Sequence, residues 1–530
     1  MIGEAAPAAR AVVLTCLAIV LAFALSTTQA LIVARVGSDH PVHVFLTRNI
    51  RDGGFRLFVR IPRLLNASYV AAVPLYLHWI VAHFRAGAVY WCERLLNPVV
   101  SALHVGAFAL LALIALRLEG LPLLYVGLAT CAFALTPQFY HALSARNFGL
   151  SSRGTGLLVL TLFFLDAYAL QSHFEPALSW PALAVLGWLV WGFSTFAQQA
   201  LCIISVIILA LTGQYLPLLG ALLGLALFIA MHPRYSLGYL RHTLRFIDVY
   251  RRELAPIYIL AARRSIWRDL VWDLWTRRPG GFAQAVRYAY GNSVLIVLLL
   301  NPFAAVAGWA ELAARLPPHG FIAYAGTVAL AGTLAMLLTS FRATRFLGEP
   351  ERYVEAVTPW AVLCAAYVLA GSGHGALLAA ASALFLLMNL AQLYASRLLL
   401  AHIDDSQTAQ LAGVESAVRA RLPAGVRFCS NNEHFTKMLM QNDWQYAYCL
   451  AVGQDYCGMK VQEAFATFPR LRREACERIV STYRVNACLL DRTLYETLFA
   501  QQPPDLQRMS IAYESPRLRL LILDWADPSR

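Results

Sequence analysis

The chain has 530 residues, 59% of them hydrophobic and only 14% charged, against roughly 25% charged in a soluble domain, which excludes an ordinary soluble protein. Its formal net charge is +13, from 43 basic and 30 acidic residues with arginine far outnumbering lysine, so an anionic partner is expected. Long apolar runs can cross the hydrocarbon core as helices with every backbone group satisfied internally, and they point to a lipid bilayer rather than nucleic acid.

The first run, 11–36, follows a ten-residue start that carries one Arg and one Glu. It is longer than the roughly 7–15-residue core of a secretory signal and lacks a small-x-small cleavage site, so a retained first transmembrane helix is expected. Directly after it comes Gly37-Ser38-Asp39-His40-Pro41-Val42-His43, then Val-Phe-Leu-Thr-Arg48-Asn-Ile-Arg51-Asp52-Gly53-Gly54. From His43 the apolar spacing predicts a short helix along the interface, stopped by Gly53-Gly54. Asp39, at its entry, reads either as a helix cap or as a general base, with Arg48 or Arg51 available for a phosphate. Farther along, Arg60-Ile-Pro-Arg63-Leu-Leu-Asn-Ala-Ser-Tyr69 leads to Pro74-Leu-Tyr76-Leu-His78-Trp79. This basic and aromatic mixture is either an interfacial belt or a groove for a lipid-linked sugar. Asn66-Ala67-Ser68 matches a glycosylation sequon, a pattern of low specificity.

Further apolar runs lie at 97–117, 121–138, 155–171, 179–194, 196–213, 215–231, 289–314, 321–341, 358–372 and 375–397. They bring the expected total to about eleven spans, with no repeat period of the kind that marks inverted transporter halves. The stretch 140–153 holds Arg146 and Arg153 but no carboxylate, and 232–288 is an Arg-rich amphipathic connection. A late loop, Leu338-Thr-Ser-Phe-Arg342-Ala-Thr-Arg345-Phe-Leu-Gly348-Glu349-Pro-Glu351-Arg352-Tyr353, leads into the run at 358.

Beyond about Ala401 the chain is polar enough for a separate α/β domain, large enough to bury its own core. Strand-like runs Val426-Arg-Phe-Cys, Tyr446-Ala-Tyr-Cys-Leu, Val485-Asn-Ala-Cys-Leu-Leu and Leu518-Arg-Leu-Leu-Ile-Leu alternate with helical segments near 404–420 and 471–483. The expected fold is mostly α: a polytopic membrane domain over 1–400 with its first loop at 37–94, then a small soluble α/β domain over 401–530. Five of the ten cysteines, Cys429, Cys449, Cys457, Cys476 and Cys488, fall in this last domain without a C-x-x-C pair, so no zinc site is expected. Their plain reading is a small buried side chain. A Cys449–Cys457 disulfide would require the domain to lie outside the reducing cytoplasm, and the odd count leaves a thiol over.

Two of these stretches resemble a known family. The order of first span, Asp39-His40-Pro-Val-His43, an interfacial helix ending in Arg51-Asp-Gly-Gly, and Val73-Pro74-Leu-Tyr-Leu-His78-Trp79 is similar to the first external loop of the polytopic GT-C glycosyltransferases. These enzymes take sugars from polyprenyl-phosphate donors. The 338–353 loop resembles the family's late loop that helps bind donor phosphate, and a small C-terminal α/β domain is a third similarity. The resemblance implies that Asp39 is the catalytic carboxylate, deprotonating or orienting the acceptor hydroxyl in an inverting transfer without a covalent intermediate. It implies Arg345 and Arg352, then Arg48 and Arg51, as phosphate ligands. His40, His43, Tyr353, Glu349, His78, Arg146 and Arg153 are the further substrate contacts. Each arginine taken singly also reads as a span-end anchor. The oligosaccharyltransferase branch binds a divalent cation with acidic residues after the third span. The corresponding 140–153 stretch has none, and one Asp with two His suits hard ions poorly. A transferase without metal or other cofactor is therefore expected.

With 37–94 external, eleven spans place the C-terminal domain outside too, the arrangement expected of an enzyme in a bacterial cytoplasmic membrane. Arg48, Arg51, Arg56, Arg60, Arg63, Arg85 and Arg94 all crowd that first loop, against the positive-inside rule, although gripping lipid phosphate is a separate reason for external arginine. The expected function is sugar transfer from a polyprenyl-phosphate donor to a glycan, lipid or protein acceptor at the outer face. The alternatives are a transporter or lipid-linked glycan flippase, disfavoured by the scarcity of mid-span ionisable residues such as Asp166, and a non-catalytic envelope-polysaccharide assembly protein.

Overall fold

A computed structural model of the chain describes residues 2–33, 40–57, 61–65, 74–137, 149–172, 175–254, 293–341, 343–423, 425–448 and 457–526. These residues fall into two compact units, one of Met1–Ile32, Tyr90–Met231 and Arg263–Ser396, the other of Val33–Val89, His232–Ala262 and Arg397–Arg530.

In the first unit the described parts of the apolar runs are mostly helical. Among the described residues eight helices are long and apolar enough to cross a membrane, from Ala8–Ile32 to Ala376–Leu398. Leu123–Leu135 and Leu216–Met231 are shorter apolar helices, and Val294–Leu300 with Pro302–Leu312 forms a pair bent by 100°. The run expected as one span at 289–314 is therefore broken, and the cause is local. Pro302 has no N–H to donate and disfavours helix at the residue before it. Asn301 accordingly leaves the helical region at φ −151° and ψ 70°. Its side-chain amide donates to the Thr358 hydroxyl at 3.0 Å, which gives the polar break a buried partner.

The helices Phe321–Thr339 and Glu351–Gly371 form the centre of this unit, each with 72% of its apolar window buried, against 22% for Ala8–Ile32. Trp360 is fully buried between them, and its ring meets Phe164, Phe321 and Tyr324 at centroid distances of 6.5, 5.9 and 5.9 Å. Small residues let two helices of the unit approach closely. Pro176–Phe193 packs on Leu216–Met231 with Gly187 against Gly220 and Gly224. A Cβ on Gly224 would stand 2.4 Å from the Gly187 carbonyl carbon. Between helices in lipid, contact of this kind replaces the hydrophobic drive that lipid tails cannot supply.

The second unit is built on a five-stranded sheet in the order β2-β1-β5-β7-β6, with β1 Arg427–Ser430, β2 Gln445–Tyr446, β5 Ala487–Asp491, β6 Leu506–Glu514 and β7 Leu518–Trp525. β1 runs parallel to β2 and β5, while β7 is antiparallel to β5 and β6. The central β5 is buried at every position, as its apolar run Ala487-Cys-Leu-Leu dictates, and the Asp491 carboxylate that ends it accepts from Asn432 and Thr493. A small hairpin of β3, Phe465–Thr467, and β4, Arg470–Leu471, lies apart from the main sheet in strand pairing. Three of the four expected strand runs are strands, while the fourth is strand only at Tyr446, the end of β2; Ala447 and Tyr448 are not in a strand, and Cys449 and Leu450 lie outside the described residues. β6 was not foreseen, because its outward positions are polar and its pattern Leu-Gln-Arg-Met-Ser-Ile is irregular. The expected span at 375–397 and helix at 404–420 prove to be one 46-residue helix, Ala376–Arg421.

Segments of the first loop belong to this same unit. The Leu65 N–H donates to the Tyr446 carbonyl at 2.8 Å and the Tyr446 N–H to the Arg63 carbonyl at 2.9 Å, which covers the β2 edge. Arg63 also pairs with Asp52 and, at 3.0 Å, with Asp443.

Candidate functional site

The residues singled out from sequence distribute over both units. Asp39 and Arg146 lie outside the described residues. Arg345 is described only as the first residue of the short 3-10 turn Arg345–Leu347.

In the first unit, the structure brings Arg153, Glu349, Arg352 and Tyr353 into one neighbourhood. Arg153 opens the helix Arg153–Gln171, and Arg352 is the second residue of Glu351–Gly371. The Arg153 guanidinium donates to the Glu355 carboxylate, and the two side chains are only 7% and 2% exposed. Arg352 pairs with Glu349 across the helix start. Both guanidinium carbons approach the same Phe196 ring, at 5.9 Å for Arg153 and 3.6 Å for Arg352. Arginine tolerates such a place because its planar, weakly hydrated cation stacks on an aromatic face while its edge pairs with a carboxylate. The Tyr353 hydroxyl donates to the Leu347 carbonyl at 2.7 Å, tying the 3-10 turn to the helix. Gly348, between them, has φ +119°, a conformation that side chains rarely adopt.

The Arg153–Glu355 pair also lines a small pocket together with Gln29, Asn97, Ser101 and His104. The Asn97 amide donates to the Gly149 carbonyl at 2.9 Å. The Thr161 hydroxyl donates to the Leu157 carbonyl at 3.0 Å and sits 2.9 Å from His104 Nε2. With its own hydrogen committed, Thr161 accepts from His104, so the imidazole carries a proton on Nε2. Sequence reasoning missed Glu355, Phe196, Asn97, Gln29 and His104. Glu355 alone left a signal, as a charge one turn beyond Arg352 at the start of an apolar run.

In the second unit, the expected interfacial helix is present as His40–Asp52. It ends as its glycines require: the Gly53 N–H donates to the Asn49 carbonyl, the Phe55 N–H to the Ile50 carbonyl, and Gly54 has φ +71°. His40 is its first residue, and buried His43 lies 2.8 Å, Nδ1 to Nε2, from His78 on the helix Tyr76–Ala82. One ring must donate and the other accept, so the pair shares a single proton between two elements. Burial holds His78 well below its ordinary 6.5, and His43 adds to the effect. Arg48 donates to the Gln441 carbonyl, and Arg51 to the carbonyls of Ala82, at 3.1 Å, and Phe84. These two arginines therefore close local backbone in this structure.

A unit of long apolar helices and a second unit built on a mixed sheet set the fold within which the comparisons with solved structures are made. Among solved structures it is similar to the apo oligosaccharyltransferase of Archaeoglobus fulgidus, with 13% sequence identity over 90% of this chain and 69% of that one and a TM-score of 0.50. The same protein complexed with Zn and sulfate aligns at 15% identity, 89% and 68% coverage and TM-score 0.47. ArnT from Cupriavidus metallidurans bound to undecaprenyl phosphate aligns at 13% identity, 98% and 99% coverage and TM-score 0.43. No family model matches the sequence, and no curated protein does.

Proposed function

We propose that the chain is an integral-membrane glycosyltransferase that moves a sugar from a polyprenyl-phosphate donor to a hydroxyl of a glycan, lipid or protein acceptor at the outer face of a bacterial cytoplasmic membrane. The observation that carries this reading is the buried arginine–carboxylate cluster of Arg153, Glu355, Arg352 and Glu349, placed where two spans of a GT-C fold begin. Helix starts carry partial positive charge and unpaired N–H groups, so with arginine they favour a phosphate.

In the proposed reaction the acceptor heteroatom bonds to the anomeric carbon as the bond from that carbon to the phosphate oxygen breaks. The acceptor proton passes to Asp39, and polyprenyl phosphate leaves with the electron pair. One displacement inverts the anomeric centre and needs one base plus cations at the leaving group. Arg352, with Arg345 on the preceding turn, is the proposed phosphate ligand. The described cluster pairs Arg153 with Glu355 and Arg352 with Glu349, so a phosphate engages Arg352 by displacing Glu349, exchanging one anionic partner for another. His40, His43 and His78 are further proposed substrate contacts, while Arg48 and Arg51 donate to the carbonyls of Gln441, Ala82 and Phe84. The set of one Asp with histidines suits a metal-independent transfer.

The test is stabilisation of the purified full chain by a polyprenyl phosphate, read as a rise in unfolding temperature in detergent. The wild type is expected to gain stability with ligand concentration, and Arg352→Ala to lose most of that gain. An equal gain from the corresponding polyprenol, which lacks the phosphate, would overturn the assignment.

A further inference from the structure

Three cysteines far apart in sequence meet in the core of the second unit. Cys429 on β1 is the register partner of Cys488 on β5, with their Sγ atoms 3.6 Å apart. Cys476, from the helix Arg473–Thr482, completes a triangle in which all three sulfurs lie within 4.8 Å of one another. All three are 0% exposed. Leu471, Ile479, Val480, Leu490 and Leu521 belong to the same apolar core, so the site is dry. The Tyr495 hydroxyl, itself buried, sits beside Cys476.

Buried cysteine is ordinary as a small apolar side chain. Mutual convergence of three is not what filling a core requires, since any apolar residue of similar volume fills one position without reference to the others. Sulfurs bound to one ion at about 2.3 Å stand roughly 3.8–4.0 Å apart, and the observed triangle reaches that geometry with small side-chain adjustments. A disulfide would use two of the three and leave the third without a role.

We propose that Cys429, Cys476 and Cys488 form a binding site for one soft, thiophilic d10 cation, held by three thiolates. Soft thiolate donors select copper(I) and zinc(II) over hard ions. Zinc almost always takes four ligands in such sites, while the described cluster offers three, so copper(I) binds the more tightly of the two. On binding, each thiol gives its proton to solvent as its sulfur takes the ion, and no electron is transferred. The Tyr495 hydroxyl can donate to one of the resulting thiolates and spread its charge.

The experiment uses the full chain, purified anaerobically in detergent with reductant, loaded in parallel with copper(I) and zinc(II), and passed through a competing chelator. One ion per chain is expected, with X-ray absorption showing three sulfurs around copper. Cys429→Ser, Cys476→Ser and Cys488→Ser should each lose it, and Cys16→Ser should keep it. Because a serine in this core can unfold the domain, the sulfur count on the wild type decides independently of the variants. No stoichiometric ion of either kind, fewer than three sulfurs, retention of the ion by all three variants, or a Cys429–Cys488 disulfide found by mass spectrometry in protein purified without reductant would each overturn the proposal.

Discussion

At the scale of single residues, the Arg153–Glu355 pair is the sharpest constraint in the first unit. Both side chains are nearly inaccessible, so removing one leaves the other charged without compensation, at a cost of about 3–5 kcal/mol. Arg153→Met is expected to lower the unfolding temperature strongly, and the double variant Arg153→Met with Glu355→Leu to recover most of the loss, because replacing both charges by apolar groups is nearly neutral. A double variant no more stable than the single one would show that the pair does not act as a unit. His78 gives a second prediction, with its sign fixed by its surroundings. Burial and His43 hold its folded pKa below 6.5, so the unfolded chain binds the proton more readily. The stability this contributes is complete above 6.5 and is lost as pH falls toward the depressed folded value. Thermal unfolding between pH 7 and pH 5 should therefore weaken the wild type more than His78→Gln. Equal acid sensitivity in the two would contradict the assignment.

At the scale of elements, local sequence reads well where one face or one run decides the outcome. The interfacial helix His40–Asp52 follows from its apolar spacing and its glycine stop, and β1, β5 and β7 follow from dense apolar runs. What stayed hidden depends on partners distant in sequence. Glu355 acquires meaning only through Arg153, and Phe196 only because two guanidiniums approach one ring. The three converging cysteines carry no ligand spacing at all, since a helix and two strands assemble them. The break at Asn301 was legible in the Asn-Pro pair and was outweighed by the apolar run around it. The Gly187–Gly224 contact yields the prediction at this scale. Gly224→Val forces a side chain into the backbone of the neighbouring helix, and should cost on the order of 1–3 kcal/mol, read as a lower unfolding temperature. Unchanged stability would mean the two helices separate freely.

At the scale of the whole molecule, composition already settled the membrane class, and among the described residues the eleven apolar runs reappear as eight helices long and apolar enough to cross a membrane, one bent pair and two shorter helices. The surplus of arginine divides into distinct uses. Arg48 and Arg51 donate to backbone carbonyls, while Arg153 and Arg352 enter the carboxylate cluster, so net charge is a poor guide to which arginine meets a ligand. Fold alone does not dictate function, and the proposed chemistry rests on Asp39 at the entry of the interfacial helix. The most direct measurement is transfer from labelled polyprenyl-phosphate sugars by the full chain in lipid vesicles, comparing the wild type with Asp39→Asn. The wild type is predicted to release polyprenyl phosphate and pass label to acceptor, and Asp39→Asn to lose nearly all transfer while matching the wild type in expression and thermal unfolding. Equal transfer by both proteins would contradict the central claim.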